Sequence, residues 1–325
     1  MAIKLGRAQC GGHITLLFTV MDDSQELEKQ GSLGAGLCLN DGVEAIARGE
    51  GGDFNLKVNF LNGLGDETLY RDLLNILSEE ISEIKEYSWE LNVKFTLPTS
   101  QGFGMSASGA ISAANAFQRS LGISHEKSRR RSYLTAHIVE RLRSTGLGDT
   151  TALASGGVER RITAGSPYSG NQLDNGPGKS EGWTYDIPLI LAWKSETGKH
   201  TSEYINDINW KNKITKAGME QMKKLSIGEW NSSRWGDLIE SANRFVVDSE
   251  LIMDSKRADL LTNSRDIIKN CNFEDRCTAL LCMLGESIVI VPNNLDSLDF
   301  DLVVLCNKFK ERGYETVMTR VSSLS

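Results

Sequence analysis

The sequence predicts a mixed α+β protein built as two packed domains or one large one. Three observations carry that expectation. A chain of 325 residues exceeds what one minimal core needs. Segments of helical and of strand hydrophobic period occur side by side. Residues 165–182, rich in Gly, Pro, Ser and Asn, separate two regions that each contain both kinds of segment. The expected division is therefore 1–182, an N-terminal domain, and 183–325, a C-terminal domain.

Residues 14–20 and 36–39 read as strands. Asn40-Asp41-Gly42 follows as a hairpin turn signal, with a return strand from Ala45. Residues 55–59 alternate, as a strand does. Residues 67–84 carry helical spacing through Leu69, Leu73, Leu74, Ile76, Leu77 and Ile81. Residues 89–97 alternate again until Pro98. Helices are expected over 108–121, dominated by small side chains, and over 126–143. Beyond the loop come a strand at 187–193, helices at 214–225, 235–247 and 255–269, and strands at 287–291 and 316–320.

Composition narrows the function classes. Hydrophobic residues make up 40% and charged residues 24%, as in a soluble globular protein. No apolar run approaches membrane-spanning length and the first residues do not read as a signal peptide, so a cytoplasmic location is expected. A net charge of −7 argues against nucleic acid as a partner. Arg129-Arg130-Arg131 reads as a solvated helix face. The six cysteines show no CxxC pair and read as free thiols. None of the four histidines has metal-ligand spacing.

The segment with most chemical content is Gly102-Phe103-Gly104-Met105-Ser106-Ala107-Ser108-Gly109, between a strand and a helix. Its glycines let backbone N–H groups converge on an anion, and the following helix adds its unpaired N–H groups and positive dipole end. A plain tight turn fits the same residues. A P-loop is excluded at Gly178-Lys179-Ser180, because Leu173 stands where the pattern needs glycine. The dinucleotide fingerprint lacks its early-strand setting.

This turn, from Pro98 onward, resembles the phosphate loop of the superfamily of galactokinase, homoserine kinase, mevalonate kinase and phosphomevalonate kinase (GHMP). Within it, Gly-Phe-Gly-Met-Ser is similar to the archaeal pantoate kinases. Further blocks resemble that family in order along the chain: Gly12-His13-Ile14-Thr15 with Phe18; Gly31-Ser32-Leu33-Gly34-Ala35-Gly36 with Asp41-Gly42-Val43; Ala136-His137 with Glu140; Thr145-Gly146-Leu147-Gly148-Asp149; and Gly156-Gly157 with Arg161 and Gly165. Thr201 and Met283-Leu284-Gly285 also fall where the family has similar residues.

The resemblance implies a GHMP-kinase fold: a nucleotide domain like domain 2 of ribosomal protein S5, then a ferredoxin-like domain. It implies ATP and Mg2+ as cofactors and pantoate as the small-molecule partner, and leaves a homodimer open. Gly102, Phe103, Gly104, Met105, Ser106, Ala107 and Ser108 would bind the ATP phosphates, with Ser106 and Glu140 on the metal. Asp149 would act as catalytic base. His13, Thr15, Ser32 and Arg161 would contact the substrate. From the residues alone, Glu140 also fits a solvated helical position, Asp149 a helix N-cap, and His13 a satisfied structural histidine. Arg160 and Arg161, adjacent in a strand, would face opposite sides, so one of them reaches the site. Met283-Leu284-Gly285 fits core before a strand or backbone near the cleft. Rival functions are a sister kinase for mevalonate, homoserine or another small hydroxy acid, an ATP-dependent decarboxylase, and a non-catalytic nucleotide-binding or regulatory protein.

Overall fold

The computed structural model describes residues 3–194, 208–283, 285–296 and 300–324. Thr201 and Leu284 lie outside them. The chain opens with two long strands, β1 (Lys4–Phe18) and β2 (Gly34–Gly51), paired antiparallel along nearly their whole length. The outer half of β2 also pairs with β4 (Tyr87–Phe95), which carries β3 (Asn55–Phe60) in parallel. The inner end of β2 pairs with β5 (Val158–Thr163), and β5 with β8 (Lys179–Trp183). The six-stranded sheet therefore runs β3-β4-β2-β5-β8, with β1 on β2.

The hairpin expected at Asn40-Asp41-Gly42 does not form. Those residues lie inside the 18-residue β2, and the hairpin is the one between β1 and β2. Gly42 serves a close backbone approach instead. A Cβ there would lie 2.1 Å from the Cys10 carbonyl oxygen, opposite Gly11, beside a register shift in β1. Residues 165–182 are also less irregular than their composition suggests. They hold a short hairpin of β6 (Tyr168–Ser169) and β7 (Asp174–Asn175) and most of β8.

Helix α1 (Glu67–Glu80) is capped by Asp66, whose carboxylate accepts from Thr68 N at 2.9 Å. It buries Leu69, Leu73, Leu74 and Leu77. Helix α2 (Met105–Ser120) begins three residues earlier than its small-residue pattern suggests. It lies against β1 so closely that a Cβ on Gly6 would meet the Ala116 carbonyl at 2.1 Å. Helices α3 (His125–Arg143) and α4 (Asp149–Ser155) complete this layer.

A second, four-stranded sheet has the order β10-β11-β9-β12, from β9 (Pro188–Trp193), β10 (Cys277–Cys282), β11 (Ser287–Pro292) and β12 (Glu315–Arg320). All its pairs are antiparallel, and the order is ferredoxin-like. Around it pack α5 (Ile208–Leu225), α6 (Trp235–Asp248), α7 (Ser255–Asn270) and α8 (Leu302–Glu311). The two sheets share one continuous hydrophobic core. Gly218 of α5 abuts the Phe18 carbonyl, and the Phe18 and Phe245 rings lie 5.7 Å apart. The turn from β10 to β11 therefore reaches the end of β1 and the glycine-rich loop.

Candidate active site

Gly102 and Gly104 both take positive φ, +80° and +68°. Gly104 sits just ahead of α2, where a Cβ would lie 2.9 Å from the His13 backbone. The first intrahelical bond of α2 runs from Ser108 N to Gly104 O at 3.0 Å. The N–H groups of Met105, Ser106 and Ala107 therefore stand ahead of the helical ladder, at the positive end of the dipole. Phe103 and Met105 bury their side chains and offer backbone only. Phe103 packs edge-on against Trp193 at 5.6 Å. Ser108 departs from its expected role: it is fully buried and its hydroxyl donates to the Cys10 carbonyl at 2.7 Å.

The loop borders a cleft of about 440 Å³, also lined by Thr15, Ser32, Ser106, Glu140, Asp149 and Arg161. Glu140 is buried rather than solvated. Its Oε1 accepts from Ser106 Oγ at 2.5 Å and from Thr145 Oγ1 at 2.9 Å. The turn 144–148 is pinned by Arg141, whose Nη1 donates to the Gly146 carbonyl at 2.6 Å. Gly146 fits between the two acids: a Cβ there would lie 2.0 Å from Glu140 Oε2 and 3.1 Å from Asp149 Oδ2. Ser106, Glu140 and Asp149 thus converge. Burial, and then the Asp149 charge, push Glu140 up to about 7, against the opposing hydroxyls of Ser106 and Thr145.

Asp149 is the first residue of α4, and the helix is capped by Gly148 without a side-chain bond. The N-cap role falls away. Asp149 Oδ1 instead meets His13 Nδ1 at 2.7 Å, with 21% of the side chain exposed. Burial would raise its pKa, but the His13 bond and the His13 and Arg161 charges hold it below the ordinary aspartate value. His13 itself has 0% exposure and is absent from the cleft wall. The expected contact between His13 and substrate is therefore replaced by a contact with Asp149.

Arg161 and Arg160 point to opposite faces of β5, as the strand requires. Arg160 is held by Glu181 at 2.8 Å and by the Leu225 carbonyl. Arg161 lines the cleft, buried, with Nε and Nη2 lacking hydrogen-bond partners among the described residues. Gly34 and Gly148 make room for it: a Cβ on either would lie 2.3 Å and 2.6 Å from its guanidinium nitrogens. Met283 lines the cleft too, and its N–H donates to the Thr15 carbonyl at 3.0 Å.

Sequence reasoning missed Glu159, fully buried at 3.0 Å from His13 Nε2. Its two-residue spacing from Arg161 in a strand was the available signal. It also missed Leu64, Leu69, Tyr70, Phe95 and Arg143, which line the cleft beside the loop. Among the described residues no group of three or more His, Cys, Asp or Glu converges to hold a metal, and no helix is long and apolar enough to cross a membrane.

A phosphotransferase related to the CoA biosynthesis pathway superposes at a TM-score of 0.71, with 21% identity over 98% of this chain and 96% of that one. Mevalonate diphosphate decarboxylase from Staphylococcus aureus follows at 0.65 and 12% identity, covering 100% and 97%. Mevalonate kinase from the same species gives 0.57 at 14% identity, covering 98% and 100%. The chain has the GHMP-kinase fold. In this chain the cleft lies beside the glycine-rich loop, with Met283 of the turn after β10 on its wall. No family model matches. Over 167 residues the chain is 32% identical to the pantoate kinase of Thermococcus kodakarensis, covering 50% of this chain and 54% of that protein. Over 162 residues it is 30% identical to the pantoate kinase of Methanospirillum hungatei, covering 49% and 53%. The chain spans about half the length of the curated relatives it matches.

Proposed function

We propose that the protein is an ATP-dependent kinase that phosphorylates the primary alcohol of (R)-pantoate to give (R)-4-phosphopantoate, a cytoplasmic step of archaeal coenzyme A synthesis. The observation that carries this is the convergence of Ser106, Glu140 and Asp149 with Arg161 on one cleft beside the glycine-rich loop. The N–H groups at the start of α2 receive the phosphates. The hydroxyl of Ser106 and the carboxylate of Glu140 are hard oxygen donors that fit Mg2+. Such an ion, when bound, neutralises phosphate charge. Arg161, paired with Glu159 at 3.6 Å, brings its guanidinium charge to the cleft wall for the pantoate carboxylate, with Thr15 and Ser32 nearby for its hydroxyl. Phe18, Leu147 and Met283 give the dimethyl carbon an apolar wall, and Leu64, Leu69, Tyr70 and Phe95 give the purine one. Asp149 orients the acceptor alcohol and takes its proton. Both pantoate kinase relatives support the choice of substrate.

The test is ADP release with Mg-ATP and pantoate, mevalonate or homoserine side by side, with the product read by phosphorus NMR. Turnover is expected with pantoate alone. Asp149→Asn should lower kcat about 10³-fold while Mg-ATP still binds. Absence of turnover with pantoate, or an unchanged rate in the variant, ends the proposal.

A further inference from the structure

Behind Asp149 lies a pair of side chains that the phosphoryl-transfer chemistry above does not use. His13 is enclosed between two carboxylates. Nδ1 is 2.7 Å from Asp149 Oδ1 and Nε2 is 3.0 Å from Glu159 Oε1, with His13 and Glu159 both at 0% exposure. A neutral imidazole has one donor nitrogen and one acceptor nitrogen, so it would set a lone pair against one of these oxygens. Only the doubly protonated ring donates to both. Charge balance agrees: Asp149 and Glu159 face His13 and Arg161, and a neutral ring would leave this buried group net negative. Burial alone would lower the His13 pKa, and the two carboxylates outweigh it, so its proton is held more tightly than usual.

The surrounding backbone is shaped to this pair. On β2, Gly36 lies so close that a Cβ would stand 2.7 Å from His13 Nε2 and 3.0 Å from Glu159 Oε1. The His13 backbone N–H also donates to the Phe103 carbonyl at 3.0 Å, which joins this residue to the glycine-rich loop. With Asp149 Oδ1 occupied by the ring, Oδ2 is the oxygen beside Gly146 and Glu140.

We infer that His13 is a positioning residue, an imidazolium clamped by Glu159, that fixes the catalytic carboxylate of Asp149 with Oδ2 presented to the acceptor alcohol. Two consequences follow. The Glu159 carboxylate supports turnover without touching substrate, and loss of the clamp impairs the chemical step more than substrate capture. The inference rests on Asp149 being the group that meets the acceptor.

The experiment has two arms on the full chain. In the first, nitrogen-15 histidine NMR at pH 7.5 reads the protonation of the His13 ring, assigned by the resonance missing in His13→Gln. The expected result is two protonated ring nitrogens in the wild type and a neutral ring in Glu159→Gln. A wild-type ring with one bare nitrogen overturns the inference. The second arm measures kcat and KM for His13→Gln and Glu159→Gln. A fall in kcat of about 10- to 100-fold is expected, with KM for pantoate within about threefold of wild type. Loss confined to KM, or unchanged kcat, also overturns it. If the wild type turns over none of the three acceptors, the kinase proposal has failed, and the NMR arm still decides the state of His13. The two failures are thereby distinguishable.

Discussion

At Glu140 the stability of the fold and the metal-binding role proposed for this carboxylate pull in opposite directions. Its carboxylate is buried beside the Asp149 charge, so the folded protein prefers it protonated up to about pH 7, whereas the unfolded chain releases the proton near 4.5. A carboxyl whose folded pKa is raised costs nothing below the unfolded value. The cost grows as pH climbs between the two values and is complete above the upper one. Here it reaches about 3 kcal/mol at most. Glu140→Gln keeps an oxygen to accept from Ser106 and Thr145 and removes the charge. In EDTA, its melting temperature should exceed that of the wild type by about 3 to 8 °C at pH 8, and the gap should shrink towards pH 5. Phosphorylation should fall at least about 10³-fold in the same variant. Thermal melts at both pH values check the first part, and a gap that does not change with pH contradicts it. Arg160 and Arg161 show how far the sequence reaches at this scale. Strand alternation states that only one faces the cleft, but choosing Arg161 requires the packing of Arg160 on Glu181 and on the end of α5.

Among the elements, α3 is unusual in burying polar side chains along its length, including Ser132, Thr135, His137, Glu140 and Arg141. His137 bridges α3 to two neighbours. Its ring nitrogens lie 3.1 Å from the Leu27 carbonyl and 3.1 Å from Thr150 Oγ1 on α4. Burial lowers its pKa to about 4, with nearby Arg141 adding to the effect. The folded protein thus resists a proton that the unfolded chain accepts from pH 6.5 downward. Stability from this group is full above 6.5 and is lost as pH falls towards 4, by about 3 kcal/mol at most. His137→Gln should weaken the protein at pH 8 and flatten its decline between pH 6.5 and 4. Urea midpoints across that range measure it, and parallel declines in variant and wild type would refute the assignment. The elements also mark where sequence patterns mislead. Asn40-Asp41-Gly42 carries the residues of a tight turn, yet β1 supplies a partner along all of β2, and the glycine is consumed by the approach to Cys10. The glycine-rich loop was legible because its positive φ angles require glycine at Gly102 and Gly104. Glu159 was not, because nothing local distinguishes a buried acid from a solvated one.

At the scale of the whole molecule, the glycine-rich loop is a shared wall between the two sheets. The Ser287 hydroxyl at the start of β11 donates to the Gln101 carbonyl, and Arg257 of α7 reaches the Gly285 carbonyl. Gly285 touches the loop directly: a Cβ there would lie 2.1 Å from the Gln101 oxygen and 2.7 Å from Gly102 N. Both contacts are to backbone, so no side-chain rotation relieves them, and one half of the molecule must move from the other. Gly285→Ala should therefore displace the loop without touching Asp149 or Arg161. The expected result is a KM for ATP raised about 10-fold or more, with KM for pantoate changed less than about threefold. Ser287→Ala removes one buried hydrogen bond but leaves the spacing intact, so about 1 to 3 kcal/mol of stability should go while the KM for ATP moves little. Steady-state kinetics of the two variants, read against their urea midpoints, separate loop position from general stability. An equal effect of Gly285→Ala on both substrates would mean that the second sheet supports the site only as a whole, not through the glycine-rich loop.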